Sequence, residues 1–366
     1  MRGIGPRRAA RPMKERNPGL DIARFLAVMC VVATHTAAGL LPLNGIRAPA
    51  AVLPAAYFGV ELFFVLSGFL IGGLLFDILR IDPSPRAWRA FMLRRWLRTL
   101  PLYFAWLLLL PRLIPSPPHL LWHQLQYAAM LQNLAWPMPH DRWFNESWSL
   151  AIEEWFYLLF SITVIAAVRL TRRQGAAWIV IGAFILVPAL VRLSWSSRFG
   201  AESYHVVVLR LDAIAYGVAL AGLRHRDHAI FRHPRSALLV GLALVGLLWA
   251  QEIRGPFLPL APLLWLNIKL VVTSVALCLV LVGLVQIRPH LGPFGAVVGA
   301  GARISYGIYI MHLALFEGMI GVAVRYHLGH AAGTVAALVL SFLLPALSFR
   351  FIESPLLALR PRQFAS

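Results

Sequence analysis

Long apolar blocks, each close to the length of a membrane-spanning helix, recur along this 366-residue sequence and are separated by short arginine-rich breaks. Crossing a hydrocarbon core ~30 Å thick takes about 17–25 predominantly apolar residues in a helix. Ten blocks meet or approach that length, at roughly 20–41, 52–76, 99–114, 147–168, 176–193, 204–223, 236–250, 262–285, 303–324 and 331–351. The expected fold is therefore all-α, a polytopic membrane protein of about ten transmembrane helices. The block at 236–250 is the shortest. The stretch 119–139, with Trp122 and Trp136, is amphipathic and expected at the membrane interface instead of across it.

Composition excludes an ordinary soluble domain, since 59% of residues are hydrophobic and only 13% charged. A net charge of +19 in a soluble chain would point to nucleic acid. Here the basic residues sit in short loops between apolar blocks, so they report topology and contact with anionic lipid. Placing the N-terminus inside puts most of the 34 Lys and Arg on that side. The opposite loops hold only Arg47, Arg112, Arg142, Arg192, Arg198, Arg254 and Arg325. That bias predicts both termini in the cytoplasm. The expected organisation is a basic tail over 1–19, a ten-helix membrane domain over 20–351 and a cytoplasmic tail over 352–366. The first block lacks a small-residue cleavage site and reads as a retained span. Cys30 and Cys278 both fall in apolar blocks, where they serve packing and not a disulfide framework.

Charges inside a membrane are costly and mark function by default, the structural alternative being a pair that locks two helices. In the first block Arg24 and His35 lie eleven residues apart, which returns within about 20° to the same helix face and separates them by roughly 16 Å. Asp21 precedes Arg24 by three positions and can pair with it. An imidazole is the side chain best suited to accept and return a proton near neutrality. In the fourth block Ser149, Glu153 and Tyr157 follow at i, i+4 and i+8 on one face, with Glu153 at a depth similar to that of His35. Glu154 points away and suits helix pairing. Arg95 and Arg98 share a face at the start of the third block, as a pair able to grip phosphate would. Glu61 is a further intramembrane carboxylate in the second block, Arg210 and Asp212 read as a structural ion pair, and His312 ranks behind His35 as a proton acceptor.

Six passages in collinear order resemble the acyltransferase-3 family of bacterial membrane acyltransferases. They are L-D-I-A-R-F-L-A at 20–27 with His35, G-V-E-L-F-F-V-L-S-G-F-L-I at 59–71, R-R-W-L-R-T-L-P-L-Y at 94–103, W-S-L-A-I-E-E-W-F-Y at 148–157, I-S-Y-G-I-Y-I-M-H at 304–312 and F-I-E-S-P at 351–355. The resemblance implies a ten-helix domain in the bacterial plasma membrane that takes acyl-CoA from the cytoplasm, with no permanently bound cofactor and no metal. The acceptor it implies is a hydroxyl of a cell-envelope glycan, a lipid-linked sugar or a natural product. It makes His35 the catalytic base, Arg24, Arg95 and Arg98 donor-binding groups, and Glu153, with Ser149 and Tyr157, part of the reaction chamber. Glu61 stands where aspartate is common in the family. No esterase-like extension is expected after Arg362.

The reaction expected is O-acylation, with His35 deprotonating the acceptor and Glu153 orienting the imidazole; a covalent acyl-His intermediate is the mechanistic alternative. The rival class is a transporter or flippase for a sugar-linked or anionic substrate. Paired repeats and broken helices at corresponding positions would mark it, and the sequence has neither.

Overall fold

The computed structural model describes residues 17–139, 143–255, 261–289 and 291–361. The basic residues expected over 1–16, together with Arg142 and Arg362, lie outside the described residues. The main helices are α1 (Pro18–His35), α2 (Ala55–Ile81), α3 (Pro85–Leu109), α4 (Leu120–Ala128), α5 (Ser147–Thr171), α6 (Ala176–Phe199), α7 (Leu211–His225), α8 (Pro234–Arg254), α9 (Pro262–Ile287), α10 (Phe294–Arg325), α11 (Gly329–Ser348) and the short α12 (Ser354–Ala358). Among the described residues there is no strand. Eight helical stretches among the described residues are long and apolar enough to cross a membrane, and the protein is a multi-pass all-α membrane protein.

The other two expected spans are α3 and α7. Five arginines lie on α3, at 86, 89, 94, 95 and 98, and α7 has only 15 residues. The sixth block therefore does not run as helix from 204. Its first part forms 3-10 turns, Gly200–His205 and Val207–Leu209, separated by Val206, and this backbone is tied to an irregular segment at 133–134. Val207 N–H donates to Asn133 O (2.9 Å) and Val208 N–H to Leu134 O (3.1 Å), while the Asn133 amide donates to the carbonyls of His205 (2.6 Å) and Trp148 (3.1 Å). Backbone that leaves the α-helical ladder at membrane depth is tolerated where protein buries it in this way. The stretch 119–139 is thus split. Helix α4 exposes Leu121, Trp122 and Leu125, whereas Met130, Gln132, Asn133 and Met138 are buried. Helix α8 corrects the opposite error: it runs for 21 residues, about 31 Å at 1.5 Å per residue, because Pro234 starts it earlier and Gln251 and Arg254 extend it past the apolar block.

Local chemistry explains the helix ends. The Asn17 side chain caps α1 by accepting from Gly19 N–H (2.9 Å), and its amide ties this end to Val285 O on α9 (3.0 Å). Ser84 caps α3 ahead of Pro85 at the first helical position. Two π-helical turns, Thr36–Leu40 and Phe349–Glu353, each stop one residue short of a proline, Pro42 and Pro355. Proline lacks an N–H and crowds the carbonyl four residues back, and widening the preceding turn relieves both.

Small residues let α2 and α7 pack at backbone distance. A Cβ on Gly68 would stand 2.0 Å from Ile214 O, and one on Gly217 would stand 2.1 Å from Val65 O. Gly72, one turn beyond Gly68, meets Val218, so this is a small-xxx-small contact. Gly68→Ala is expected to push α7 away at a cost of about 1–3 kcal/mol or more, read as a lower melting temperature in detergent. An unchanged melting temperature would mean that the two backbones separate freely.

The charge bias makes an expectation about sidedness. Paired reporters fused after Gln251, after Arg288 and at the C-terminus should read outside, inside and inside. An outside signal at the C-terminus would remove the ten-span arrangement.

Candidate active site

A cavity lies among α1, α2, α3, α5 and α10, enclosing about 700 Å³ of empty space that is continuous with solvent, and Arg24, Ser67, Arg95, Arg98, Ser149 and Glu153 contribute to its polar lining. The rest of its wall is largely apolar, with Phe63, Phe64 and Leu150 prominent. Helical spacing brings the α5 residues to it. Ser149 and Glu153 line it directly, and Tyr157 stands one turn further on the same face.

Tyr157 is the hub of one wall. Its hydroxyl donates to Glu153 Oε2 (2.7 Å) and accepts from Arg95 Nη2 (2.6 Å). Ser67 Oγ contacts the same oxygen. One donor and two acceptor sites are all that a phenol has, so the hydroxyl is fully committed and its role is to hold Glu153 and Arg95. Arg95 Nε, in contrast, is buried and unpaired among the described residues. Glu154 accepts from Thr99 Oγ1 (2.7 Å) and pairs α5 with α3. Asp21 sits in the first turn of α1, where the helix dipole favours a carboxylate.

The expected partnership of His35 with Glu153 is not formed. His35 Nδ1 lies 2.8 Å from His312 Nε2 on α10, with the two rings stacked at a centroid distance of 5.0 Å. His312 Nδ1 in turn faces only carbonyls, Tyr309 O at 2.8 Å and Ile308 O at 3.0 Å. Carbonyls only accept, so this nitrogen carries the proton. With both rings neutral, His312 Nε2 is then the acceptor and His35 Nδ1 the donor. The lone pair of His35 is left on Nε2, which makes that atom a directed proton acceptor. Glu153 instead accepts from the Tyr157 hydroxyl through Oε2.

Neither histidine lines the cavity itself. Tyr309 bridges the two regions: it lies one turn before His312 on α10, its ring lines the cavity, and its hydroxyl bonds Ser149 Oγ at 2.6 Å. Beside the pair, buried Glu146 accepts from Leu313 N–H (3.2 Å), holding α10 at the residue after His312. Glu146 has no signal in the sequence, because it precedes α5 and acts on a helix 167 positions away. Glu353 is also buried; its one sequence signal is its place in F-I-E-S-P.

The expected Arg210–Asp212 pair exists only at 4.0 Å. The tight partners are exchanged: Arg210 bonds Glu61 on α2, and Asp212 receives both terminal nitrogens of Arg192, at 3.0 and 2.6 Å. Arg192, expected in an outside loop, is wholly buried and also donates to Asn267 (3.0 Å). Two residues apart at the start of α7, Arg210 and Asp212 point to different neighbours, so each finds its partner on another helix.

Comparison with known proteins agrees with this architecture. The model of the acyltransferase-3 family, described as an acyltransferase domain, matches residues 17–350. A Bacillus subtilis protein named "Putative peptidoglycan O-acetyltransferase YrhL" is 25% identical over 93% of this chain and 54% of its own length. A Staphylococcus aureus (strain COL) protein named "Putative O-acetyltransferase" is 28% identical over 56% of this chain and 34% of its own. The chain thus spans about half, or less, of the length of these relatives. No solved structure matches it significantly. A family match over nearly the whole described chain, on a helical bundle with a charged cavity and a stacked histidine pair, places this protein in the acyltransferase-3 family of membrane acyltransferases.

Proposed function

We propose that the protein transfers an acyl group, acetyl or another short chain, from cytoplasmic acyl-CoA to a hydroxyl of a glycan, glycolipid or natural product at the bacterial plasma membrane. The observation that carries this reading is the directed lone pair of His35, held by His312 one helix turn from a cavity whose other wall is lined by arginines. Arg24, Arg95 and Arg98 hold the anionic end of the donor, and the roughly 16 Å between Arg24 and His35 along α1 suits a long, thin arm. As the acceptor oxygen attacks the thioester carbonyl carbon, its proton passes to His35 Nε2. The C–S bond then breaks and the proton returns to the thiolate, leaving an ester and a free thiol. Glu153 positions Arg95 through Tyr157. A glycan acceptor is favoured by the B. subtilis relative, whose name specifies peptidoglycan.

The test is the purified protein in detergent with acetyl-CoA and a soluble glycan acceptor. Release of free thiol together with an O-acetyl ester on the acceptor is expected. Movement of a substrate across reconstituted vesicles with no thioester cleavage would replace the enzyme with the transporter.

A further inference from the structure

Beyond the membrane helices the chain turns back on the bundle. After the π-helical turn ending at Glu353, α12 packs against α3, and Arg94 Nη1 donates to Pro361 O (2.7 Å). This tether fixes the residue just before it, Arg360. Its Nε and Nη2 atoms are shielded from solvent and have no hydrogen-bond partner among the described residues, and the same holds for Arg95 Nε. Arg360 lies beyond the spanning segments, and its guanidinium is pushed down to about 10 by burial and by facing Arg98, Arg94 and Arg95. Four guanidinium groups are therefore gathered at one mouth of the bundle. The carboxylates facing Arg98 are Glu353 and Glu153, and Glu153 is already bonded to Tyr157.

Gathered like charges with buried, unpaired donors are an unfavourable arrangement unless an anion with several oxygens joins them. Arg94 is occupied by the tether, so the donors on offer come from Arg360 and Arg95, with Arg98 on the cavity wall. They span from the C-terminal segment to the cavity, and a single phosphate would meet only part of that row. We infer that Arg360, carried by the segment after α11 and held by Arg94, completes a polyphosphate-binding site with Arg95 and Arg98. This rests on the donor reading above, under which the polyphosphate is the nucleotide end of acyl-CoA and the cavity beyond Arg98 receives the thioester arm. Arg360 is then a donor-binding residue supplied from outside the helical bundle, and the chain past Glu353 is a clasp on the donor.

The test uses the full chain in nanodiscs of phosphatidylcholine, titrated calorimetrically with coenzyme A and, separately, with inorganic pyrophosphate. Arg360→Ala should weaken coenzyme A binding ten-fold or more and raise KM for the thioester, with kcat at saturation unchanged. Arg360→Lys should restore part of the affinity, and Arg173→Ala, an exposed arginine at the same end of the bundle, should change nothing. Equal coenzyme A affinity in wild type and Arg360→Ala would overturn the inference and leave the donor reading standing. Pyrophosphate binding that depends on Arg360, with no coenzyme A binding in wild type, would uphold the anion site and sink the donor reading. Nanodiscs containing phosphatidylglycerol separate a lipid source. If that lipid displaced pyrophosphate while coenzyme A did not, the site would hold a headgroup and the clasp on the donor would be refuted.

Discussion

Replacing His35 by alanine is expected to reduce acyl transfer by about 10²–10⁴-fold, the usual contribution of a positioned general base, with insertion into the membrane intact. His35 ends α1 and its ring is half-buried against His312, so its loss removes a proton acceptor without emptying a large core position. The variants of His312 make the test sharper. The His312 ring accepts from His35 Nδ1–H, and that bond strengthens when His35 takes up a proton in the reaction. A hydrogen bond to a charged group contributes roughly 1.5–3 kcal/mol, so His312→Ala should lose on the order of ten-fold to 150-fold. His312→Gln places an amide oxygen near the position of Nε2 and should recover part of that loss. Transfer rates measured on the three variants decide the matter. Full activity in His35→Ala would remove it from the mechanism. Equal rates in wild type and His312→Ala would show that the ring pair does not set the tautomer.

Glu61→Leu is expected to be the most destabilising single change in the bundle. Glu61 and Arg210 are both fully buried and bonded to each other, with the Tyr204 ring 4.4 Å from the guanidinium. Removing the carboxylate strands a charge whose remaining carboxylate neighbour, Asp212 at 4.0 Å, is already bonded to Arg192. Breaking one side of a buried pair costs about 3–5 kcal/mol, which should appear as loss of folded protein on extraction or a strongly lowered melting temperature. The double variant Glu61→Leu with Arg210→Met removes both charges together and should recover much of the loss, since apolar replacement of a whole buried pair is often close to neutral. If the double variant were as unstable as Glu61→Leu alone, the cost would lie in packing, and the ion pair would not be its cause.

The contacts of His35 and of Glu61 differ in how far the sequence reveals them. That His35, Glu153 and Arg98 sit within apolar surroundings could be read directly, because a charge among twenty apolar residues is conspicuous. Which of them meet could not. Similar depth suggests Glu153 beside His35, yet Glu153 accepts from Tyr157, four residues on, and His35 pairs with His312. The 3-10 turn before α7 is equally hidden, since Val207, Val208 and Leu209 read as apolar α-helix; the pairing of Val207 and Val208 with the loop at 133–134 satisfies the other backbone shape.

The amino-acid sequence by itself determined the helical class, the approximate spans and the shared face of Ser149, Glu153 and Tyr157. Apolar runs in lipid must satisfy their backbone internally, and a period of 3.6 residues then decides which side chains stand together. Only the tertiary structure decided the partners: His35 with His312 across 277 positions, Glu61 with Arg210 across 149, and Arg360 beside Arg98. Pairing across helices depends on which helices become neighbours and how closely their small residues let them approach, and no local periodicity carries that information.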